Sequence, residues 1–221
     1  RQYLVSEWAK LAPNAGIDPT GEQLEAWLRL GNDVIERWNE PHRAYHDERH
    51  LEDVLLSLNQ LETRGERVDV MTILSAWFHD AVYEGVGGED EEASARVAVT
   101  SLGELGLADP LIQRVGELIV ATTPTFVHAH IDTPLAHLLD ADLAIFASGP
   151  GRYLEYTDAV RREYAHVADP DFRNGRSAIL ANYLQQPTIY RTNTARDLWE
   201  RRARANLERE ISRLTTDWPL D

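Results

Sequence analysis

The chain has 221 residues, of which 43% are hydrophobic and 27% charged, a balance typical of a globular protein with a buried core and not of a disordered segment. Its 22 Lys and Arg against 37 Asp and Glu give a formal net charge of −15, which disfavours generic binding to nucleic acids and anionic membranes because like charges repel. The sequence has no cysteine, so disulfides, thiolate metal sites and cysteine nucleophiles are excluded, and any metal must be bound by His, Asp or Glu.

Hydrophobic residues recur three and four positions apart along almost the whole chain, a spacing that predicts an all-α protein. Turn-forming stretches such as EGVGGEDE, GLADP and ASGPG separate the segments. No apolar run approaches the roughly 18 residues that span a bilayer, and the N-terminus lacks a signal-peptide pattern, so we expect a cytoplasmic protein. The predicted helices lie at about 2–12, 21–39, 47–64, 69–84, 90–105, 109–122, 134–147, 151–166, 171–186 and 194–216.

The segment RAYHDERHLEDVL runs into the predicted third helix, and in it His46 and His50 are four residues apart. Side chains at this spacing project from one face of a helix. The pair suits a shared metal ion or two ends of one polar site, although histidine pairs of this kind are also common on surfaces.

The predicted fourth helix, VDVMTILSAWFHDAVYE, is apolar on most of its surface. His79 and Asp80 near its end are therefore expected at or near the interior. A buried charge that loses its partner costs about 3–5 kcal/mol, so the pair needs either a hydrogen-bond network or a metal ion.

The predicted seventh helix contains LAHLLDADLAIFA, in which apolar residues surround Asp140 and Asp142. Two carboxylates in such a setting are unfavourable as anions unless a cation lies close by. One His of the third helix, the His79–Asp80 pair and one Asp of the seventh helix together give two imidazoles and two carboxylates. This set suits Mn, Fe, Zn, Co or Ni, with Mg less favoured.

The order of these residues, His, then His-Asp, then Asp, resembles the HD superfamily of metal-dependent phosphohydrolases, and in particular a bacterial subfamily of predicted phosphohydrolases. The resemblance implies one HD-domain-like bundle of about nine or ten helices over 1–221. Its metal-binding core lies at about 42–147, and the helices at 151–216 complete the bundle and pocket. The matching blocks are RAYHDERHLEDVL, AWFHDAVYE, EDEEASA, LDADLAIFA, YLEYTDAVRREY, FRNGRSAIL, PTIYRT and ARANLEREI.

The resemblance further implies that the metal ligands are His50, His79, Asp80 and Asp142. Asp140 is the less favoured alternative to Asp142. One divalent ion is expected.

A second ion remains an alternative, since two-metal members of the superfamily bind it with extra histidines near the segment IVATTPTFVHAHID. The candidates there are His128 and His130. His46 is a further candidate, as a substrate-facing group or as a ligand of that second ion.

The reaction that the resemblance implies is hydrolysis of a phosphoester in a small phosphorylated metabolite, foremost a nucleotide, with a water activated by the ion as nucleophile. Asp80 would orient that water, and Glu91 and His46 are further catalytic candidates. Glu91 and its neighbour Glu92 also have a structural explanation, because acidic residues favour the first turn of a helix.

Binding of the phosphate group is assigned to arginines, because guanidinium pairs well with phosphate. Surface ion pairs are the alternative role for each of them. The candidates are Arg43, Arg161, Arg176 and Arg204.

Other functions remain open at this stage. A non-catalytic HD protein that binds metal and nucleotide, as a sensor or scaffold, would use the same groups. The stretch HDERH superficially resembles the H-E-x-x-H motif of zinc peptidases, but Asp47 has a shorter side chain than Glu and the His79–Asp80 pair would have no role. A homodimer is an alternative to a monomer, and Trp8, Trp38 and Trp218 would mark an interface if exposed.

Overall fold

The computed structural model describes residues 1–124 and 130–216. Within these ranges all regular structure is helical, which confirms the predicted all-α class with ten helices. The helices are α1 (Gln2–Leu11), α2 (Glu22–Trp38), α3 (Glu48–Thr63), α4 (Val70–Phe78), α5 (Glu89–Glu104), α6 (Asp109–Val120), α7 (Thr133–Asp142), α8 (Pro150–Glu163), α9 (Asp169–Gln185) and α10. The last of these begins at Asn193–Ala195, passes through a π-helical turn at Arg196–Glu200 and continues as Arg201–Thr215.

Short polar residues set where several helices begin. The side chain of Asp47 accepts hydrogen bonds from the backbone N–H groups of Arg49 and His50, and Asp69 and Asp132 act in the same way at the starts of α4 and α7. Such caps satisfy backbone donors that have no partner inside the helix. Because Asp47 caps α3, His46 lies before the helix, so the expectation that His46 and His50 share one helical face was wrong.

The fourth helix is shorter than predicted and ends at Phe78 rather than near residue 84. The chain leaves the helix because tertiary partners bind its backbone. Arg43 donates to the carbonyls of Asp80 and Ala81, and Ser94 both accepts from and donates to the backbone of Val82. His79 and Asp80 therefore lie at a helix end and not on a helical face.

One apolar core includes residues of every long helix, from Leu4 in α1 to Leu207 in α10. Trp8 stacks on Trp27 with ring centroids 4.2 Å apart, and each indole N–H donates to the backbone carbonyl of the other residue. Trp8 and Trp38 are buried, so neither is the exposed tryptophan that would mark an interface, and Trp218 lies outside the described residues.

Two features of the structure near the end of α7 bring candidate site residues together. Helix α7 packs against both α3 and α4, which brings the start of α3, the end of α4 and the end of α7 together. After Asp142 the chain tightens into a 3-10 helix, Leu143–Ala147. Among the described helices, none is long and apolar enough to cross a membrane.

Candidate metal centre

The side chains of His50, His79, Asp80 and Asp142 meet where the three helix ends converge. Nε2 of His50 lies 3.3 Å from Nε2 of His79 and 3.1 Å from Oδ1 of Asp142. Nε2 of His79 lies 3.6 Å from the same Asp142 oxygen. Oδ2 of Asp80 lies 3.3 Å from Nε2 of His79 and 3.8 Å from Nε2 of His50. Four potential ligand atoms from three parts of the chain thus face one another.

Contacts on the side away from the cluster orient the imidazoles of His50 and His79. Nδ1 of His79 is 2.9 Å from the carbonyl oxygen of Ala76, a contact in which the Nδ1–H group donates and the lone pair of Nε2 is directed at the cluster. Trp38 packs against both rings, at 5.4 Å from His79 and 6.0 Å from His50. Nδ1 of His50 is buried and has no hydrogen-bond partner among the described residues.

Arg43 fixes the backbone that carries Asp80. Its side chain donates to the carbonyls of His46, Asp80 and Ala81 and to the carboxylate of Glu40. A guanidinium has five N–H donors, and these contacts use all of them. Arg43 therefore has no donor left for a phosphate group, and its visible role is to hold the turn after α4.

Asp140 and Asp142 have different environments although both belong to α7. Asp140 is fully buried and accepts hydrogen bonds from the backbone N–H groups of Arg191 and Thr192 and from the Thr192 hydroxyl. It thereby attaches α7 to the segment before α10. Asp142, in contrast, faces His50 and His79, so the structure places Asp142 and not Asp140 in the cluster.

The charges in the cluster shift its pKa values. Burial by itself lowers the pKa of His79, but the carboxylates of Asp80 and Asp142 outweigh burial and raise it to about 9. Burial raises the pKa of Asp142, yet the hydrogen bonds with His50 and His79 hold it well below its usual range. Both pKa shifts indicate that the electrostatic potential of the cluster favours a bound positive charge.

The donor set and its spacing fit a divalent cation. Ligand atoms about 2.1 Å from one ion lie about 3.0–3.4 Å apart in octahedral or tetrahedral geometry, and the spacings among His50, His79 and Asp142 are 3.1–3.6 Å. These three residues offer ligand atoms that all lie within 4.8 Å of one another. Two imidazole nitrogens with carboxylate oxygens suit transition metals.

Comparisons with protein-family models, with curated proteins and with solved structures found no match for this chain. The candidate centre therefore rests on geometry and on the chemistry of its residues, and membership of the HD superfamily remains a prediction.

His46 lies beside the centre, and its side chain is bound by Glu163 and not by a residue of the cluster. Its Nδ1 is 2.7 Å from Oε2 of Glu163, and its ring stacks on Tyr83 with centroids 4.1 Å apart. The ring centroid of His46 is 5.6 Å from that of His50. Burial lowers the pKa of His46, but the hydrogen bond with Glu163 and the negative charges of Asp80, Glu163 and Asp142 together raise it above its usual value.

Solvent can reach the centre from one side. The side chains of His50 and His79 are only 2% exposed, whereas those of Asp142 and His46 are 26% and 23% exposed. Among the described residues, the two largest of the surface cavities found lie elsewhere: one of 890 Å³ lies between α5 and α6, and one of 530 Å³ is bordered by Glu66, Asp132 and Arg191. Solvent therefore reaches the centre past the partly exposed carboxylates of Asp80 and Asp142.

The remaining arginine candidates differ in what they bind. Arg161 donates to the carbonyls of Tyr164 and Val167 after the end of α8. Arg204 donates to Glu200 and to three carbonyls at 184–187. Both therefore have structural contacts that account for them, and their role in binding phosphate stays a prediction.

Arg176 is connected to the centre through a series of packed tyrosine side chains. It pairs with Glu210 at 2.7 Å and donates to the Tyr156 hydroxyl. Tyr156 packs on Tyr45, which in turn packs on the ring of His50 at 4.7 Å. The hydrogen bonds of Arg176 within the described residues come from Nε and Nη2, which leaves Nη1 for another partner.

Glu91 and His130 lie outside the cluster of four. Glu91 is buried and accepts a 2.5 Å hydrogen bond from the backbone N–H of Gly88, a capping contact that agrees with its structural explanation. Glu92 is exposed and pairs with Arg96. His130 is exposed just before α7, and His128 lies outside the described residues.

Sequence reasoning missed Glu163 and the structural role of Arg43. Glu163 occurs in the block YLEYTDAVRREY, but nothing in that stretch distinguishes it from a surface acid of an amphipathic helix. Its partner His46 lies 117 residues away, and a single sequence carries no signal for a contact over that separation.

Proposed function

We propose that this protein is a metal-dependent phosphohydrolase of the HD type, which hydrolyses a phosphoester in a small phosphorylated metabolite. The observation that carries the proposal is the convergence of His50, His79, Asp80 and Asp142 at three helix ends, in the order that the HD resemblance requires. We assign these four residues as the ligands of one divalent ion.

When bound, a divalent ion lowers the pKa of a coordinated water and polarises a phosphoryl oxygen. The residues of the chain supply the rest of the chemistry. Asp80 lies in contact with both imidazoles, so its carboxylate is placed to orient the attacking water and to accept its proton. The Arg43 contacts with the Asp80 and His46 carbonyls keep this carboxylate in position.

We assign substrate binding to the side of the centre that Tyr45 and Tyr156 form. Tyr45 and Tyr156 connect the ring of His50 to Arg176, so a phosphorylated molecule could place a flat group against tyrosine and a phosphate oxygen near the guanidinium. Nucleotides are therefore the first substrate class to test. The net charge of −15 favours small metabolites over long nucleic acids.

The test combines metal content and turnover in one preparation. We expect about one equivalent of Mn, Fe, Co, Ni or Zn per chain after purification and reconstitution, measured by inductively coupled plasma mass spectrometry. The same preparation should release phosphate from members of a panel of nucleotides, sugar phosphates and aryl phosphates.

The matched variants are His50→Ala and His166→Ala, because both remove one imidazole and His166 is exposed and does not belong to the cluster. The first should lose bound metal and at least about 10²-fold in kcat, the scale of losing an activated nucleophile, and the second should retain both. A protein that holds metal but cleaves no ester would instead favour the sensor or scaffold function. Metal retention by His50→Ala would contradict the proposed ligand set.

A further inference from the structure

Glu163 has contacts that a surface carboxylate does not need. One oxygen, Oε1, accepts hydrogen bonds from three consecutive backbone N–H groups, those of Ala44, Tyr45 and His46, at 2.8, 2.7 and 2.9 Å. The other oxygen, Oε2, lies 2.7 Å from Nδ1 of His46 and accepts from the Tyr83 hydroxyl at 3.2 Å. The side chain is only 3% exposed, so its desolvation has to be offset by these bonds.

These contacts fix both the proton and the direction of the His46 ring. The carboxylate of Glu163 stays ionised, because its hydrogen bonds outweigh burial and lower its pKa to about 2. An ionised carboxylate is an acceptor only, so Nδ1 of His46 must carry the proton. Stacking on Tyr83 and edge contact with Tyr45 leave the ring little freedom to rotate.

The opposite ring nitrogen of His46 remains for chemistry. Nε2 lies on the side of the ring away from Glu163 and makes no hydrogen bond within the described part of the chain, and the side chain is 23% exposed. The ring lies beside His50. A leaving group on a phosphorus atom at the centre would therefore be within range of this nitrogen.

We propose that Glu163 is a positioning residue that holds His46 through Nδ1, so that Nε2–H donates a proton to the leaving oxygen of the substrate. The inference rests on the proposed phosphohydrolase function and adds to it a named proton donor and the residue that aligns it. As the water oxygen bonds to phosphorus, Asp80 accepts a proton from the water, and the bond from phosphorus to the leaving oxygen breaks with its electron pair on that oxygen. The doubly protonated ring of His46 keeps one proton on Nδ1, toward Glu163, and gives its Nε2 proton to the leaving oxygen. Asp80 then releases its proton to solvent, and a proton from solvent restores His46.

The variant Glu163→Gln isolates this role. The amide oxygen of Gln can still accept from the three backbone N–H groups, so the fold is expected to persist. The amide nitrogen would donate to Nδ1, which keeps Nδ1 unprotonated and so disfavours the doubly protonated ring that acts as the proton donor. Glu200→Gln is the matched control, because Glu200 also accepts backbone N–H bonds, from Ile189 and Tyr190, at a position away from the centre.

The kinetic readout is the dependence of kcat on the leaving group. Proton donation matters for a poor leaving group, such as an alkoxide, and little for a nitrophenolate that leaves without a proton. We expect Glu163→Gln to lower kcat for an alkyl phosphate about 10²-fold, with little change in kcat for p-nitrophenyl phosphate and little change in KM for either. Glu200→Gln should leave the ratio of the two rates unchanged.

A second readout does not need turnover. Nitrogen-15 NMR of the histidine rings should show His46 with a protonated Nδ1 in the wild-type chain and with an unprotonated Nδ1 in Glu163→Gln. If Glu163→Gln does not fold, His46→Gln should show the same selective loss on the alkyl phosphate.

The outcomes separate the two proposals. Equal loss of kcat on both substrates, or an unprotonated Nδ1 in the wild type, overturns the positioning role and leaves the phosphohydrolase proposal intact. A wild-type chain that holds metal and hydrolyses no phosphoester overturns the phosphohydrolase proposal, and the proton-donor step with it.

Discussion

At the scale of single residues, neighbouring side chains in this protein have separate tasks. Asp140 and Asp142 are two positions apart on α7, yet Asp140 binds the segment before α10 while Asp142 faces the imidazoles. His46 and His50 are likewise close in sequence, but His50 belongs to the cluster and His46 is held by Glu163. The residue type alone does not distinguish these roles, because each depends on which partner the fold brings to it.

The raised pKa of His79 predicts a pH-dependent stability in the metal-free protein. A histidine whose pKa rises from about 6.5 when unfolded to about 9 when folded contributes stability below pH 6.5, and that contribution is lost as the pH rises toward 9. We therefore expect the free energy of unfolding in the presence of a chelator to fall by as much as about 3 kcal/mol between these pH values. Urea unfolding at a series of pH values measures it.

The control for this prediction is His79→Gln, which removes the titrating group and keeps a polar side chain at the end of α4. This variant should show a flatter dependence over the same pH range. A stability of the wild-type protein that stays constant or rises from pH 6.5 to 9 would contradict the raised pKa.

At the scale of elements, the ends of α3, α4 and α7 form the centre, and a close contact between α1 and α2 supports the core behind it. The centre is assembled from the first turn of α3, the residues after α4 and the last turn of α7. Behind it, Trp38 links α2 to the imidazoles and donates its indole N–H to the Trp77 carbonyl. The approach of α1 to α2 depends on Gly31, where an added Cβ would lie 2.2 Å from Cδ1 of Trp8.

We expect Gly31→Ala to destabilise the protein by about 1–3 kcal/mol, because the added methyl group forces Trp8 out of its stacked position against Trp27. The matched control is Gly175→Ala in α9, where a Cβ would meet no atom within 4 Å. That change should be neutral or stabilising by roughly 0.5–1 kcal/mol, since Ala has the higher helix propensity. Thermal unfolding followed by circular dichroism measures both, and equal effects would refute the steric explanation.

At the scale of the whole molecule, the candidate centre connects parts of the chain that are far apart in sequence. His50 and Asp142 are 92 positions apart by number, and a cation between them would cross-link α3, α4 and α7 in the folded state alone. A ligand that binds only the folded state stabilises it by mass action.

Removal of metal should therefore lower the melting temperature. At a free-metal concentration of about 100 times Kd the stabilisation is roughly 2.7 kcal/mol, and a chelator should abolish it. Asp142→Ala should have the same melting temperature with and without metal, whereas Asp33→Ala, which removes an exposed carboxylate on α2, should respond as the wild type does. Calorimetry in both conditions measures this, and a metal-dependent shift in Asp142→Ala would exclude Asp142 as a ligand.

The sequence by itself determined the helical class, most helix positions and the residue types of the centre. Helix periodicity is a local property, and the burial of His79 and Asp140 follows from the apolar residues around them. The HD-type order of the residues supplied the expected ligands, and three of them, His50, His79 and Asp142, offer ligand atoms within 4.8 Å of one another in the structure.

The tertiary structure alone decided which side chains meet. It ended α4 at Phe78 because Arg43 and Ser94 bind the backbone beyond it, and it turned Asp140 away by giving it backbone donors from Arg191 and Thr192. It also paired His46 with Glu163 across 117 residues. These choices depend on long-range hydrogen bonds between groups whose local sequence patterns are ordinary, and only the folded chain brings such groups within bonding distance.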